Sequence, residues 1–211
     1  MALTVSSDSI NHGERVADAH AFGVPDGNGK AAPEGGNRSP HLSWSGHPEG
    51  TESFAIVVFD PDVPADATDV NQDGKTIPED ADRVDFAHWL VVDIPADVNE
   101  VAEGAGSQEI VIGGKPVGET SFGGVSGANT FTDFLEGDED MEGTYGHYDG
   151  PFPPFNDERL HHYHFRIYAL DTPSLGLSGA FKLDDVNAAI EGHVLDHGEI
   201  VGEYTLHADK L

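Results

Sequence analysis

Three runs of apolar residues stand out between turn-forming residues: 53–59 (SFAIVVF), 89–94 (WLVVDI) and 165–170 (FRIYAL). Each is short, rich in β-branched and aromatic side chains and bounded by Gly, Pro, Asp or Ser, which predicts buried strands. Weaker runs at 3–5, 110–112 and 202–206 predict further strands. Gly and Pro recur about every ten residues, the spacing of a mainly β domain built from short strands. The intervening stretches 18–37, 64–85 and 113–154 read as long loops. Near the C-terminus the period changes: Val186, Ala189, Ile190 and Val194 recur at helical spacing, and Asp184 or Asp185 is placed to cap the first amides. The pattern is that of a β-sheet protein carrying one small late helix.

With 211 residues and no cysteine, the chain is long enough to bury one sizeable core without disulfides, and one domain spanning 1–211 is the expectation. The start of the sequence lacks the basic and apolar pattern of a signal peptide, and no segment is long and apolar enough to span a bilayer, so a cytoplasmic location is expected.

Charge changes the picture more than length does. Acidic residues number 39 against 10 basic ones, a formal net charge of -29. Such a chain repels phosphate backbones and has no Lys/Arg cluster, which excludes nucleic acid as a partner. Disorder is excluded too, because 37% of residues are hydrophobic and the apolar runs are patterned. What remains is an acidic, strongly hydrated surface suited to molar salt, where the Debye length of about 3 Å screens self-repulsion.

The candidate chemistry gathers in four segments beside the strong strands: GNRSPHLSW (36–44), DPDVP (60–64), AHWLVVDIP (87–95), and the stretch from YDGPFPP (148–154) to HHYHFRIYALD (161–171). In the last, the side-chain period of two puts His161, Tyr163 and Phe165 on one face and His162, His164 and Arg166 on the other, so only one histidine set can line a given pocket.

The order SPHLSW, DPDVP, HWLVV, GPFPP, HHYHF and YALD, followed by EGHVLDHGEIVGEY (191–204), resembles the bacterial and archaeal branch of the phosphatidylethanolamine-binding protein family, the Raf-kinase-inhibitor-like proteins. The resemblance implies two antiparallel sheets with a cavity at one end that accepts phosphate, phosphorylated head groups or other small anions. Carried over motif by motif, its lining is Asp60 and Asp62, His88, Gly150, Phe152 and Pro153, and His161 with Tyr163. Asp60 is expected to orient an imidazole rather than touch an anion. Val63 and Phe152 depart from the family pattern, and a side chain as large as Phe152 narrows the cavity. No extra C-terminal helix of the mammalian type is present, so kinase regulation is not carried over.

The resulting expectation is a small-anion-binding regulatory module rather than an enzyme, with no required cofactor, as a monomer or a homodimer. Two rivals stay open: a hydrolase using the His/Asp pocket, and a protease-inhibitor or other protein-interaction module, which an exposed apolar loop around Phe152 and Phe155 would favour. No serine or cysteine sits in a recognisable nucleophile elbow. Finally, DVNQDGKTIPED (69–80) carries oxygen ligands at calcium-loop spacing, with Asp69, Asn71, Asp73 and Asp80 as side-chain donors and the Lys75 carbonyl between them. It reads either as a calcium loop or as a plain solvated acidic loop.

Overall fold

The computed structural model describes residues 2–207 and 210. Along the chain lie β1 (Thr4–Ser6), β2 (Val24–Pro25), β3 (Ala31–Ala32), β4 (Leu42–Ser45), β5 (Ser53–Pro64), β6 (Arg83–Pro95), β7 (Glu100–Val101), β8 (Gly118–Glu119), β9 (Val125–Ser126), α1 (Phe131–Phe134), β10 (His161–Leu170), α2 (Leu183–Ile190) and β11 (Val194–Tyr204). A six-stranded sheet runs in the order β11-β10-β5-β6-β9-β8, a three-stranded sheet in the order β1-β4-β7, and β2 pairs with β3. The architecture is mainly β and its strand pairs are antiparallel.

The apolar runs read as continuous because the central strands are covered on both faces. Along β5, Phe54, Ile56 and Val58 enter the core shared with Leu42, Trp44 and Val101 of the small sheet. Ala55, Val57 and Phe59 enter a second core beneath Val186 and Ile190 of α2. Strict alternation therefore carries hydrophobic residues to both sides, and each fully buried Ile, Val or Phe side chain contributes about 1.5–3 kcal/mol.

Both long strands run further than the apolar runs alone suggest. β5 continues through DPDVP to Pro64, and β6 begins at Arg83. Pro61 is tolerated there because the β5–β6 register breaks between Asp60 and Val63, a bulge that leaves its missing N–H without a ladder partner. A second irregularity pairs Val58 with Trp89 but Phe59 with Ala87, so His88 is an inserted residue. The insertion lets His88 lie with Phe86 and Tyr163, ring centroids 5.1 Å away in each case, while Trp89 enters the main core.

Three expectations are corrected. Residues 110–112 form no strand, and Ile112 is exposed. Val194 starts β11 instead of extending α2, because the chain leaves helical geometry at Glu191 and turns through Gly192 at φ 83°. The 113–154 stretch is not a bare loop, since it carries β8, β9 and α1; the capping expectation, by contrast, holds for Asp185, which accepts the Lys182 amide at 2.9 Å.

Candidate functional site

At the end of the large sheet where the β5–β6 bulges fall lies a cavity of about 310 Å³. Its walls are apolar, including Val63, Val70, Phe86, Phe131 and Phe152, and its polar groups include Asp60, His88 and Tyr163. The sheet supplies the floor, and the 64–71 and 152–154 loops supply the rim. No Lys or Arg lines it.

His88 is 3% exposed. Its Nδ1 donates to the Asp149 carbonyl at 2.7 Å, which fixes the tautomer: in the neutral ring Nε2 carries the lone pair. Among the described residues Nε2 has no protein hydrogen-bond partner. Burial lowers the His88 pKa to about 4 against the raising influence of Asp60 and the Asp149 carbonyl, so the ring is neutral at pH 7.

Asp149 holds that carbonyl in place. Its own carboxylate is fully buried and receives Asn37 Nδ2 at 2.8 Å, Asn129 Nδ2 at 2.9 Å and Lys115 Nζ at 2.5 Å. Burial raises its pKa, with Lys115 and the two amides opposing. Gly150 follows, donating to Asn37 Oδ1 at 2.8 Å. A Cβ at this position would fall 1.9 Å from the His20 carbonyl oxygen, so only glycine fits.

His161 has no exposed surface, and both ring nitrogens are taken: Nδ1 donates to Asp60 at 2.6 Å and Nε2 to Asp157 at 3.1 Å. A ring that donates twice is an imidazolium. Burial opposes the charge, but Asp60 and Asp157 outweigh it and raise the pKa to about 9. Asp157 is in turn gripped by Arg83 through two bonds of 2.6 and 3.1 Å. Burial works against its charge, yet His161 and Arg83 hold its pKa below the usual carboxylate range. The result is a buried ladder of alternating charge, Asp60, His161, Asp157 and Arg83. Tyr163 lies beside Asp60, and burial together with that carboxylate pushes its phenol far above the ordinary value.

Of the residues singled out from sequence, Asp60, His88, Phe152, Pro153 and Tyr163 line the cavity. Asp62, Gly150 and His161 stand behind it. Asp62 accepts from the His162 backbone at 3.0 Å, the His162 ring at 2.8 Å and Arg159. His162 and His164 lie on the opposite face, and His164 stacks on Phe59 at 4.9 Å. Phe152 and Phe155 are half-buried and pack against the main core.

Several of the oxygen donors named in residues 69–80 have other partners. Asp73 pairs with Lys30 at 2.8 Å and Asp69 with Lys75 at 3.3 Å, while the Asn71 side chain accepts the Phe155 amide at 3.1 Å. The Lys75 carbonyl accepts from Asn156 at 3.2 Å. No cluster of three or more His, Asp or Glu side chains suited to a metal occurs among the described residues. Asn156, which no sequence motif marked, is the residue that organises this loop, since it also holds the Asp69 carbonyl and the Asn71 amide.

Comparison with known proteins agrees with the fold. The family model described as phosphatidylethanolamine-binding protein matches residues 6–205. The UPF0098 protein YbcL of Escherichia coli is 33% identical over 210 residues, covering 100% of this chain and 82% of its own length. A UPF0098 protein of Aquifex aeolicus is 30% identical, covering 96% and 88%. The crystal structure of E. coli YbcL, titled as a new member of the mammalian PEBP family, superposes with a TM-score of 0.68 at 30% identity, covering 97% of this chain and 99% of that one. A Chlamydia trachomatis PEBP homologue shares the fold, with a TM-score of 0.62 at 24% identity over 96% of this chain and 97% of its own. The chain belongs to the phosphatidylethanolamine-binding protein family.

Proposed function

We propose that this protein is a ligand-binding module whose cavity takes a phosphate-like anion, and that His88 takes up a proton as the anion binds. The observation that carries this reading is His88 itself, a buried imidazole lining the cavity with Nδ1 committed to Asp149 and Nε2 without a protein partner. An anion oxygen at Nε2 favours the imidazolium, which then donates from both nitrogens. The low pKa of the free site means the proton arrives with the ligand. Asp60, which accepts from His161 and from the Asp62 amide at 2.8 Å, orients the floor and balances the new charge.

Affinity is then greatest at low pH. It falls as pH rises from the free His88 value of about 4 through the higher value in the complex, by up to tenfold per unit. Titration with sulfate, whose charge is constant above pH 4, tests this in wild type and His88→Ala. The reading requires binding in the first and its loss in the second. The absence of Lys and Arg from the lining favours one rival, a small cation beside Asp60 and the aromatic rings. Binding of ethanolamine with no response to sulfate would establish that rival instead.

The acidic surface supports a working environment of molar salt. Its ion pairs, such as Lys30–Asp73 and Lys182–Asp133, are exposed, and pairs of that kind contribute only about 0–1 kcal/mol. Most of the net charge of -29 therefore depends on solvent ions for neutralisation.

A further inference from the structure

We infer that Gly23 and Phe152 together set the size of ligand the cavity accepts, and that the ligand carries, beside its anionic head, one compact apolar group no larger than a single aromatic ring. The inference rests on the reading of this cavity as the ligand site.

The Phe152 ring is one end of an arc of rings. It stacks on Phe22 with centroids 5.6 Å apart, and Phe22 stacks on Phe131 at 5.0 Å. Phe131 meets His88 edge-on at 5.6 Å, and His88 meets Tyr163 edge-on at 5.1 Å. In a close-packed arc no ring turns without displacing the next, so this wall is stiff.

Gly23 explains why Phe152 sits where it does. Its φ lies outside the positive region, so the backbone there does not demand glycine. Space does: a Cβ on residue 23 would lie 1.9 Å from Cδ2 and 2.4 Å from Cε2 of Phe152. The missing side chain is the seat of the ring. Seat and ring also move as one piece, because the Phe22 and Gly23 amides both donate to the Pro151 carbonyl, at 2.9 and 3.0 Å.

Size then follows. A volume of about 310 Å³ is at the lower end of the ~300–1,000 Å³ spanned by ligand pockets. Once a phosphate-like head occupies the floor at His88, the space left is walled by Phe131, Phe152, Val63 and Val70. Phe152 bounds that space, so its ring and the seat at Gly23 favour a flat ring or a short alkyl group over bulkier groups.

Two ligand series, titrated in molar salt, test this. Neutral benzyl alcohol and naphthalenemethanol read the wall alone; methyl, phenyl and naphthyl phosphate read wall and floor together. Wild type should bind the single-ring compounds and exclude the naphthyl ones. Phe152→Ala should bind naphthyl compounds at least about tenfold more tightly, with methyl phosphate changed by less than about twofold. Phe152→Leu should fall between. Gly23→Ala, which pushes the ring into the slot, should weaken both single-ring ligands by about tenfold. If the alcohols follow this size profile while no phosphate binds, the wall assignment stands and the anion reading fails. If wild type and Phe152→Ala show the same size profile, or wild type binds no ring compound, the inference is overturned. Methyl phosphate binding in those same proteins would leave the anion reading intact.

Discussion

His88 and His161 stand at the same end of the large sheet, both buried and both within the influence of Asp60, yet they are held in opposite states. His161 is enclosed by two carboxylates and uses both nitrogens, and its pKa is raised to about 9. His88 is enclosed by rings and the backbone of Asp149 and Gly150, makes its one direct hydrogen bond through Nδ1, and has its pKa lowered to about 4 by burial. The difference teaches that position in a shared site does not fix a histidine's role; the partner of each nitrogen does. His161 is part of the scaffold that holds Asp60, whereas His88 has capacity to spare for a ligand.

Substitution should separate the two most strongly. His161→Ala leaves Asp60 and Asp157 facing each other without their shared cation, and breaking a buried pair of this kind costs about 3–5 kcal/mol. At roughly 2–4 °C per kcal/mol for a chain of this size, the thermal midpoint should fall by about 10 °C. His88→Ala leaves only the Asp149 carbonyl short of a donor, a cost of about 1–3 kcal/mol. Equal losses in the two variants would break the comparison.

The pH dependence of stability should show the same opposition. The folded pKa of His161 lies above its ordinary 6.5, so its stabilisation is complete below pH 6.5 and is lost as pH rises through 9. The folded pKa of His88 lies below 6.5, so its buried neutral ring costs nothing above pH 6.5 and destabilises progressively as pH falls toward 4. Each limb amounts to about 3 kcal/mol at roughly 1.4 kcal/mol per pH unit. Denaturation between pH 4 and 9 should give a maximum near 6.5, with the alkaline limb absent in His161→Ala and the acid limb reduced in His88→Ala. An alkaline limb that survives His161→Ala would remove the imidazolium assignment.

Salt sharpens the contrast between buried and exposed charge. Raising salt to molar levels should increase the wild-type midpoint by several degrees, since screening relieves surface self-repulsion. The penalty of His161→Ala should stay within about 1 kcal/mol of its low-salt value, because buried charges are screened much less. A wild-type midpoint that is flat with salt would contradict the salt-adapted reading. Calcium should have the smallest effect: with Asp73, Asp69 and Asn71 engaged elsewhere, millimolar calcium after EGTA treatment should leave the midpoint unchanged. A rise that Asp73→Ala abolishes would support the calcium reading of residues 69–80.

The central strands were legible in the sequence because burial on both faces makes residues 54–59 and 89–92 continuously apolar. So was the shared face of His161 and Tyr163, since β10 keeps a strict period of two across residues 161–169. Bulges were not legible. A period of two separates His88 from its neighbours in a way that the inserted residue overrides, and it ends β5 before Pro61, whereas the strand runs to Pro64. Val194 fitted a helical spacing that Gly192 interrupts. Pairings at long range were not legible either: Arg83 meets Asp157 across 74 positions with no motif at either end, and Asn37 meets Asp149 across 112, two residues that lie in marked segments without any sign that they pair. Family motifs marked the segments around the cavity, while the division between groups that line it and groups that stand behind it came from hydrogen-bond partners.

The most direct measurement of the central claim is the titration of the His88 imidazole itself, followed by NMR with and without sulfate in molar salt. The expected result is a pKa near 4 in the free protein that rises by a unit or more on binding, with the Nε2 signal moving and His161 remaining protonated throughout. A His88 pKa that sulfate leaves unchanged, or a shift seen at His161 instead, would contradict it.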